Sequence, residues 1–483
     1  MESRSAAIRR RLNHPVIDSD GHFVEYLPMF LDYLKAEAGA GAIEGFHRAW
    51  NQTPVVSHAW YEMSPQERSD RRVIRPGFWS VPTKNTRDLA ASILPRLLYE
   101  RLDEIGLDVT VLYPGIGFMA LGFDDDEIRR ASCRALNRMY RDLFSGFEDR
   151  MIPVGVIPMH TPQEAIAELE FAVRELGMRA VVMATYVVRP VAEAARRDPE
   201  MARFATWADT FGIDSLYDYD PVWAKCLELK VAATFHSVAQ GWGFRRSVSN
   251  HMYNSLGHFA AASEAGCKSL LLGGVTRRFP QLRFAFLECG VGWARSLLSD
   301  AIRFWQKRNR AGMENYNPAN LDRDEFNRLL NRYGEKVVSG RAAPPQAQFV
   351  SLVAGTDEDA GAIDEWARSG IRTEAEFAEV FTRNFYFGCE ADDPVTSSAF
   401  DASRNPLHVK FNAVLGSDIG HWDVPDMSKV LEETYEPVEK GLFTEEDLRD
   451  FVFTNPVKLW TAQNPAFFKG TVVQDQVAGA LHG

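Results

Sequence analysis

The stretch Val16-Ile17-Asp18-Ser19-Asp20-Gly21-His22-Phe23-Val24-Glu25 joins a short apolar run to a group of acidic and imidazole side chains. Asp20 and His22 are two positions apart, so an extended chain directs both side chains to the same face. A carboxylate and an imidazole that converge at the end of a strand suit a divalent metal ion. On these residues alone a second interpretation stays open, in which Asp20 caps a turn and His22 forms a local hydrogen bond.

Seven further short apolar runs follow, separated mostly by helical patterns. The eight predicted strands are Val16–Asp20, Val109–Tyr113, Ile152–Ile157, Ala180–Ala184, Val231–His236, Phe284–Glu288, Phe385–Cys389 and Val414–Asp418. Nearly continuous apolar runs are typical of parallel strands that are covered on both faces. Because eight alternating strands and helices can close a ring, the sequence predicts an α/β fold, a (β/α)8 TIM barrel. An open doubly wound sheet is the alternative, although no glycine-rich nucleotide-binding loop follows any run.

Two stretches, at about 26–105 and 305–382, are too long to be simple crossovers. The first is rich in aromatic residues and proline, and the second is rich in charge and helix formers. Long loops in compact domains are commonly functional, so we expect both to be insertions that cover the mouth of a single barrel spanning residues 15–470. Residues 1–14 are predicted to be an N-terminal extension, and residues 471–483 a C-terminal tail.

The composition excludes several kinds of partner. The 483 residues carry a formal net charge of -12, which leaves no excess of basic side chains to neutralise nucleic-acid phosphates. No secretory signal and no apolar run long enough to cross a bilayer occur in the sequence. The five cysteines are scattered without a CxxC pair, which fits a reducing compartment. We therefore expect a cytoplasmic protein that binds neither nucleic acid nor membranes.

Polar side chains end several of the predicted strands. His236 ends the fifth strand, Glu288 the sixth and Asp418 the eighth. Active sites of α/β barrels lie at these carboxyl ends, and a carboxylate buried there without a partner is costly. His258 belongs to the predicted helix after strand five; for it and for His236, a buried histidine bonded to a backbone carbonyl is the competing interpretation. The coincidence of such side chains at strands one, five, six and eight indicates one shared site.

The pattern Asp20-x-His22, His236 and Asp418 resembles the amidohydrolase superfamily. The specific likeness is to the amidohydrolase-2 branch, which contains aminocarboxymuconate-semialdehyde decarboxylase-like enzymes. The resemblance implies that these four side chains bind a divalent metal ion. Glu288 departs from the branch, whose decarboxylases carry a histidine at the end of strand six. This departure argues against decarboxylation, and the lack of a ligand after strand four argues against ordinary two-metal hydrolysis.

The stretches Gly388–Asp393 and Ser417–Asp423 also resemble the TIM-barrel nonheme diiron monooxygenases, an offshoot of the same branch. This resemblance implies two Fe ions, an apolar acid such as a terpenoid or a CoA-linked acyl group as small-molecule substrate, and an external electron donor. The predicted metal ligands are Asp20, His22, Glu25, His236, His258, Glu288 and Asp418. The predicted catalytic residues are His421, Asp418 and Glu288, with Asp423 assisting His421 in orienting ligands or handling protons. A homodimer is a further expectation.

Two alternatives remain at this point. One is a hydrolase or nonoxidative decarboxylase with a single Zn or Mn ion, in which Asp418 acts as general base and His421 assists. The other is a barrel that has lost catalysis and serves as a binding subunit. The last interpretation predicts degraded strand ends, whereas the strand ends of this sequence carry ligand-type residues.

Overall fold

A computed structural model describes residues 2–53, 59–77, 82–237, 245–317, 320–338 and 364–482. Its strands are β1 Ile17–Phe23, β2 Val109–Pro114, β3 Met151–Ile157, β4 Ala180–Ala184, β5 Val187–Pro190, β6 Thr206–Asp209, β7 Ala233–His236, β8 Phe284–Phe286, β9 Phe385–Glu390 and β10 Ala413–Gly416. Its α-helices are α1 Arg4–Arg11, α2 Leu27–Ala38, α3 Gly41–Gln52, α4 Ala59–Glu62, α5 Pro65–Asp70, α6 Thr86–Ile93, α7 Pro95–Ile105, α8 Ile116–Ala120, α9 Asp126–Leu143, α10 Pro162–Glu170, α11 Ala192–Arg197, α12 Asp220–Leu229, α13 His251–Ser255, α14 His258–Leu272, α15 Val275–Arg278, α16 Gly292–Arg308, α17 Arg323–Tyr333, α18 Glu335–Val338, α19 Glu374–Arg383, α20 Val430–Glu439, α21 Glu445–Arg449, α22 Asn455–Gln463 and α23 Gln474–His482. Short 3-10 and π segments connect several of them.

Eight strands form one sheet in the order β1-β2-β3-β4-β7-β8-β9-β10, and every paired neighbour in it is parallel. Backbone hydrogen bonds also link β1 to the residues that follow β10, since the Asp418 amide donates to the Asp20 carbonyl at 2.9 Å. The predicted TIM barrel is therefore confirmed. Each of the eight predicted strands overlaps an observed one, and the range Ala180–Ala184 matches β4 residue for residue.

Burial on both faces explains why these runs form parallel strands. Every residue of β1, β2, β3 and β10 is buried. Aromatic rings fill one side of the barrel core, where Phe284 lies 5.7 Å from Trp223 and 6.3 Å from Phe235 between ring centroids. Packed rings of this kind contribute more than the apolar area they remove from water.

Helix α9 shows how the outer layer forms. Its N-cap Asp125 accepts hydrogen bonds from the Glu127 and Ile128 amides, which satisfies two of the donors at the helix start. Leu136 and Tyr140 lie on its buried face, and α9 packs against both β3 and α2. A helix that follows β2 therefore covers the barrel and is itself covered by a helix that follows β1.

β5 and β6 form an antiparallel hairpin inserted after β4, which was not among the predicted strands. Its inner face is tied to the barrel by the buried Arg189 side chain. Arg189 donates to Asp209 at 2.5 Å and to the Tyr219 hydroxyl at 2.8 Å, and that hydroxyl donates to the Met159 carbonyl. Strands are predicted from an alternation of apolar and polar residues. These two strands are short and are fixed by polar side chains, so the sequence shows no such alternation.

Residues near both ends of the chain form helices that pack on the barrel. In α1, Ile8 is buried and Arg9 forms an ion pair of 2.5 Å with Asp108. Val473 and Val477 are buried where α23 begins. The segments predicted as an extension and a tail are thus continuous with the packed structure.

Part of the first predicted insertion is bonded to the chain that follows β7, at the mouth of the barrel. The Trp60 indole donates to the Val248 carbonyl at 3.0 Å, the Arg75 amide donates to the Ser247 carbonyl at 3.1 Å, and the Arg72 side chain donates to the Arg246 carbonyl at 2.9 Å. We call these contacts the mouth tether. Within the second predicted insertion, residues 339–363 lie outside the described residues.

The described helices include none that is long and apolar enough to cross a lipid bilayer. All five cysteines are buried and form no disulfide. All five thiols have a raised pKa because burial disfavours the thiolate. They therefore act as small core residues.

We expect the substitution Phe284→Ala to lower the free energy of unfolding by ~3–5 kcal/mol, because it opens a cavity among packed rings. Chemical denaturation measures the change. The matched control is Phe304→Ala, since Phe304 is 52% exposed, and there we expect a change within about 0.5 kcal/mol. Equal effects of the two substitutions would contradict the packing described for this side of the barrel.

Candidate metal centre

Among the residues that the structure describes, side chains that could hold a metal ion form two groups at the carboxyl ends of the barrel strands. The first group is Asp20 and His22 of β1 with His236 of β7, and the second is Glu288, Asp418, His421 and Asp423, which follow β8 and β10. The candidate ligand atoms within each group lie within 4.8 Å of one another. Parallel strands bring these residues together because their carboxyl ends meet at one end of the barrel.

The two groups adjoin and form one continuous site. The His22 Nε2 atom lies 2.9 Å from Asp418 Oδ1, and the His236 Nε2 atom lies 2.9 Å from Glu288 Oε2. Asp20 lies between them, since its Oδ1 is 3.7 Å from His22 Nε2 and its Oδ2 is 4.0 Å from His236 Nε2. Each histidine of the first group thus faces a carboxylate of the second.

Unusual backbone conformations turn the acidic side chains into this site. Glu288 and Asp418 have φ angles of 50° and 52°, in the left-handed region that few residues other than glycine adopt. Such strain is commonly found where the surrounding structure fixes a functional side chain. Gly420 also has a positive φ, and a Cβ there would lie 2.4 Å from the His22 carbonyl oxygen. Glycine at position 420 therefore allows the chain after β10 to approach β1.

Five ligand-type atoms in the site are buried and, within the described part of the chain, form no hydrogen bond of acceptable geometry, although His22 Nε2 and His236 Nε2 each lie 2.9 Å from a carboxylate oxygen. They are Asp20 Oδ1, His22 Nε2, His236 Nε2, Glu288 Oε2 and Asp418 Oδ1. Buried polar atoms are nearly always satisfied, so five exceptions at one place need an explanation. Oxygen and imidazole nitrogen atoms that converge without hydrogen bonds fit a divalent metal ion. The residues present thus suit the metal that their chemistry implies.

His236 and His421 have different partners at their Nδ1 atoms. His236 Nδ1 lies 2.8 Å from the Ser237 carbonyl, so this nitrogen carries the proton and Nε2 keeps a free lone pair. Burial lowers the pKa of His236, and the neighbouring His22 lowers it further, so the ring is neutral as a metal ligand must be. His421 Nδ1 instead lies 2.9 Å from Asp418 Oδ2 and 3.1 Å from Asp423 Oδ1.

The site concentrates negative charge. Burial raises the pKa of Asp20 and of Glu288, and the nearby Asp418 carboxylate raises both further. Burial and the same neighbour raise the pKa of Glu390, at the end of β9, to about 8. Burial raises the pKa of Asp423 to about 7. A bound cation would relieve the repulsion that these shifts reflect.

Asp418 is the acidic residue that retains its charge most strongly. Burial opposes ionisation, yet His421 and His22 hold the pKa of Asp418 well below its ordinary value. Burial likewise opposes the charged form of His421, but Asp418 and Glu288 raise its pKa well above the ordinary value. Without a metal ion, Asp418 and His421 therefore form an ion pair.

Aromatic rings enclose the imidazoles. Phe118 stacks on His236 with ring centroids 4.2 Å apart, and Phe259 meets the same imidazole edge-on at 5.8 Å. Phe118 also contacts the His22 ring at 5.8 Å. The polar atoms of the site therefore have an apolar wall on this side.

Two predicted ligands lie in neither group. Glu25 is buried and its carboxylate accepts four hydrogen bonds, from the Tyr140 hydroxyl at 2.6 Å and from three amides at the start of α8 at 2.8 to 3.2 Å. These four bonds join β1 to α8 and α9, whereas the role of Glu25 as a metal ligand stays a prediction. His258 packs edge-on against Phe259 at 5.7 Å, on the first turn of α14.

Glu390 was not among the predicted site residues, although it affects the site electrostatically. It ends β9 and pairs in register with Gly416 of β10, next to the chain that carries Asp418. The sequence signal was an acidic residue at the end of an apolar strand, the same signal that identified Glu288. The neighbouring Asp392 and Asp393 obscured it, because a run of acidic residues is more often a solvated loop.

A family model described as amidohydrolase, Amidohydro_2, matches residues 17–338. The chain belongs to this amidohydrolase family. The match includes Asp20, His22, His236 and Glu288 and ends before Asp418. The resemblance inferred from the strand-end residues is thereby confirmed. As a member of this family with two groups of ligand residues at its strand ends, the protein is a metal-dependent enzyme.

Solved structures share the fold of this amidohydrolase. An amidohydrolase from Mycobacterium avium subsp. paratuberculosis is 18% identical, with 93% of this chain and 98% of that chain covered and a TM-score of 0.52. A dihydroxybenzoic acid decarboxylase from a Polaromonas species, with bound manganese and the inhibitor 2-nitroresorcinol, is 12% identical over 94% and 99% of the two chains, with a TM-score of 0.48. A 5-carboxyvanillate decarboxylase from Novosphingobium aromaticivorans with bound manganese is 13% identical over 93% and 97%, with a TM-score of 0.47. The likeness to the first of these, at 18% identity and a TM-score of 0.52, concerns the fold alone.

We expect Glu288→Ala to weaken metal binding by roughly tenfold or more, because it removes an oxygen that faces His236 Nε2. Elemental analysis of the purified protein measures the metal content. The control Glu25→Gln should keep the metal and lower the free energy of unfolding by about 1–3 kcal/mol, since it weakens a buried hydrogen-bonded cluster. The opposite pattern would make Glu25 the ligand and Glu288 a structural residue.

Metal affinity should rise with pH around pH 7. Burial raises the pKa of Asp423 to about 7, so below that pH its carboxyl is protonated and a metal ion must displace the proton. Titration of the metal-free protein with Mn2+ at pH 6, 7 and 8 measures this dependence. The variant Asp423→Asn should bind more weakly at pH 8 and lose part of the dependence. If Asp423→Asn showed the same pH dependence of Mn2+ affinity as the wild-type protein, Asp423 would not be a ligand.

Proposed function

We propose that this amidohydrolase-family enzyme holds two metal ions in its adjoining ligand groups and uses them to hydroxylate an apolar acid with O2. The observation that carries the proposal is the second group, Glu288, Asp418, His421 and Asp423, because these four donors come in addition to the three of the first group, which already suffice for a single ion. Mixed carboxylate and imidazole donors suit iron or manganese. Asp20 and Asp418 would be among the residues that hold the ions, since each carboxylate lies close to the His22 imidazole.

In such a reaction one oxygen atom of O2 enters a C–H bond of the substrate and the other leaves as water, with two electrons and two protons from an external reductant. Bound iron would supply the O2 chemistry. The chain's own residues would hold the ions, and the apolar wall of Phe118 and Phe259 would exclude water beside the imidazoles. His421, with 31% of its side chain exposed, is the most accessible member of the second group.

The substrate of this proposal is a small molecule with an apolar portion and an acidic group. Phe118 and Phe259 contact the imidazole of His236, so the carbon to be hydroxylated would approach beside aromatic rings. A terpenoid acid or a CoA-linked acyl group, which the sequence resemblance implies, has this character.

A second candidate is a hydrolase or nonoxidative decarboxylase with one Mn or Zn ion. The observation that favours it is that Asp20, His22 and His236 make a complete three-residue set by themselves. Asp418 and His421 would then be free to act as an acid/base pair, since His421 Nδ1 lies 2.9 Å from Asp418 Oδ2. The decarboxylases named above carry this type of activity, but their likeness to this chain extends only to the fold.

Metal analysis of protein purified without a tag or chelators separates the two candidates. We expect close to two irons per chain, and O2 uptake when metal-free protein loaded with Fe2+ under anaerobic conditions is exposed to air. The variant His421→Ala should lower the iron content towards one per chain, because it removes a ligand of the second group. Elemental analysis and an oxygen electrode provide the measurements.

One Mn or Zn ion per chain without iron, together with no O2 uptake, would reject the oxygenase and support the second candidate. In that case His421→Ala should leave the metal content unchanged, because His421 would be an acid/base group and not a ligand. Binding of no divalent ion at all would reject both candidates.

A further inference from the structure

Asp18 lies beneath the candidate metal centre and belongs to neither ligand group. Its side chain is fully buried, and its two oxygens accept four hydrogen bonds. The Thr110 and Ser417 hydroxyls donate to Oδ2 at 2.6 and 2.7 Å, and the Ser417 and Asp20 amides donate to Oδ1 at 2.8 and 3.1 Å. One carboxylate thereby connects β1, β2 and the residue that follows β10.

These bonds lie at the seam where the barrel closes. β1 and β10 are the outer members of the strand order, and the register of β1 shifts between Asp18 and Gly21. Across the seam the Asp418 amide donates to the Asp20 carbonyl at 2.9 Å, and the His22 amide donates to the Ile419 carbonyl at 2.7 Å. The distance between the ligands of the first and last strands is therefore set at an irregular junction.

A carboxylate suits this position because every neighbour that it bonds is a donor. Two hydroxyls and two amides donate to its oxygens, and a carboxylate accepts all four bonds without having a donor of its own. Gly21 leaves the room that this arrangement needs. A Cβ on Gly21 would lie 2.6 Å from both Asp18 Oδ2 and Thr110 Oγ1.

Sealing the barrel does not by itself require a charged group, since burying a carboxylate is costly. The bonds of Asp18 are directed at the two chains that carry ligands. It holds the Asp20 amide on one side of the seam, and on the other it holds Ser417 by both its amide and its hydroxyl. Ser417 immediately precedes Asp418, whose φ angle of 52° must be maintained by its surroundings.

We propose that Asp18 is a positioning residue which, through Ser417 and the Asp20 amide, holds Asp20 and Asp418 at the spacing that metal binding requires. This inference rests on the metal centre of the proposed function, but on neither of its two reactions. Asp18 acts on the ligands through hydrogen bonds and does not contact the metal itself.

The test compares affinity for Mn2+ with the stability of the metal-free protein. We expect Asp18→Asn and Thr110→Val to weaken Mn2+ binding roughly 10- to 100-fold, the usual effect of removing a hydrogen bond that orients a ligand. Thr110→Val keeps the shape of the side chain and removes the hydroxyl, whereas Thr110→Ser keeps the hydroxyl. Binding close to that of the wild type is therefore expected for Thr110→Ser. A purely structural role would make the two Thr110 variants differ in stability and not in affinity.

Asp209→Asn is the matched control, because Asp209 is another fully buried carboxylate, bonded to Arg189 and to the Phe211 amide in the hairpin. It should lower stability and leave Mn2+ affinity unchanged. Calorimetric titration with Mn2+ and denaturation of the metal-free variants provide the two readouts.

Wild-type affinity in Thr110→Val, or in Asp18→Asn where it folds, would overturn the role of Asp18. If Asp20→Ala still abolishes binding in that case, the metal centre itself stands. If the wild-type protein binds neither Mn2+ nor Fe2+, the proposed function fails and the role of Asp18 fails with it.

Discussion

The carboxylates of Asp20, Glu288 and Asp418 lie buried together at the end of an apolar barrel, and their mutual repulsion governs the structure around them. Imidazoles face each of these groups, and the most strongly ionised one, Asp418, forms an ion pair with His421. Burial of like charges at this density is tolerated only where something compensates it. Charge compensation, more than any single distance, therefore connects the fold to metal-dependent chemistry.

The cost of burying a carboxylate also explains why the buried acidic residues have different roles. Glu25 is satisfied by amide and hydroxyl donors and stabilises the junction between β1 and the helices after β2, whereas Glu288 and Asp418 each keep an oxygen without a hydrogen bond. Asp18 is satisfied like Glu25, but its donors belong to the chains that carry Asp20 and Asp418. Four neighbouring acids of similar burial are thus distinguished by the donors that surround them.

The sequence predicted the barrel well because the eight inner strands are short, apolar and buried on both faces. It also predicted Asp20, His22, His236, Glu288 and Asp418 as neighbours, since the carboxyl ends of parallel strands must meet. Glu25 shows the limit of this reasoning: the amides that satisfy it belong to Gly115 and Ile116, about ninety positions away, and no local pattern reveals them. The hairpin Val187–Asp209 was missed for a related reason, because Arg189 and Asp209 hold it together across the excursion.

The mouth tether has a consequence for how the entrance of this barrel can change during evolution. Trp60 and Arg75 belong to the chain that follows β1. The Trp60 indole, the Arg75 amide and the Arg75 side chain donate to backbone carbonyl groups of residues 247–249, which follow β7. A recombinant that exchanged only one of these segments with a relative would leave backbone groups of the other without their partners. The two segments are therefore physically coupled, and we expect a change in one of them at this rim to need a compensating change in the other.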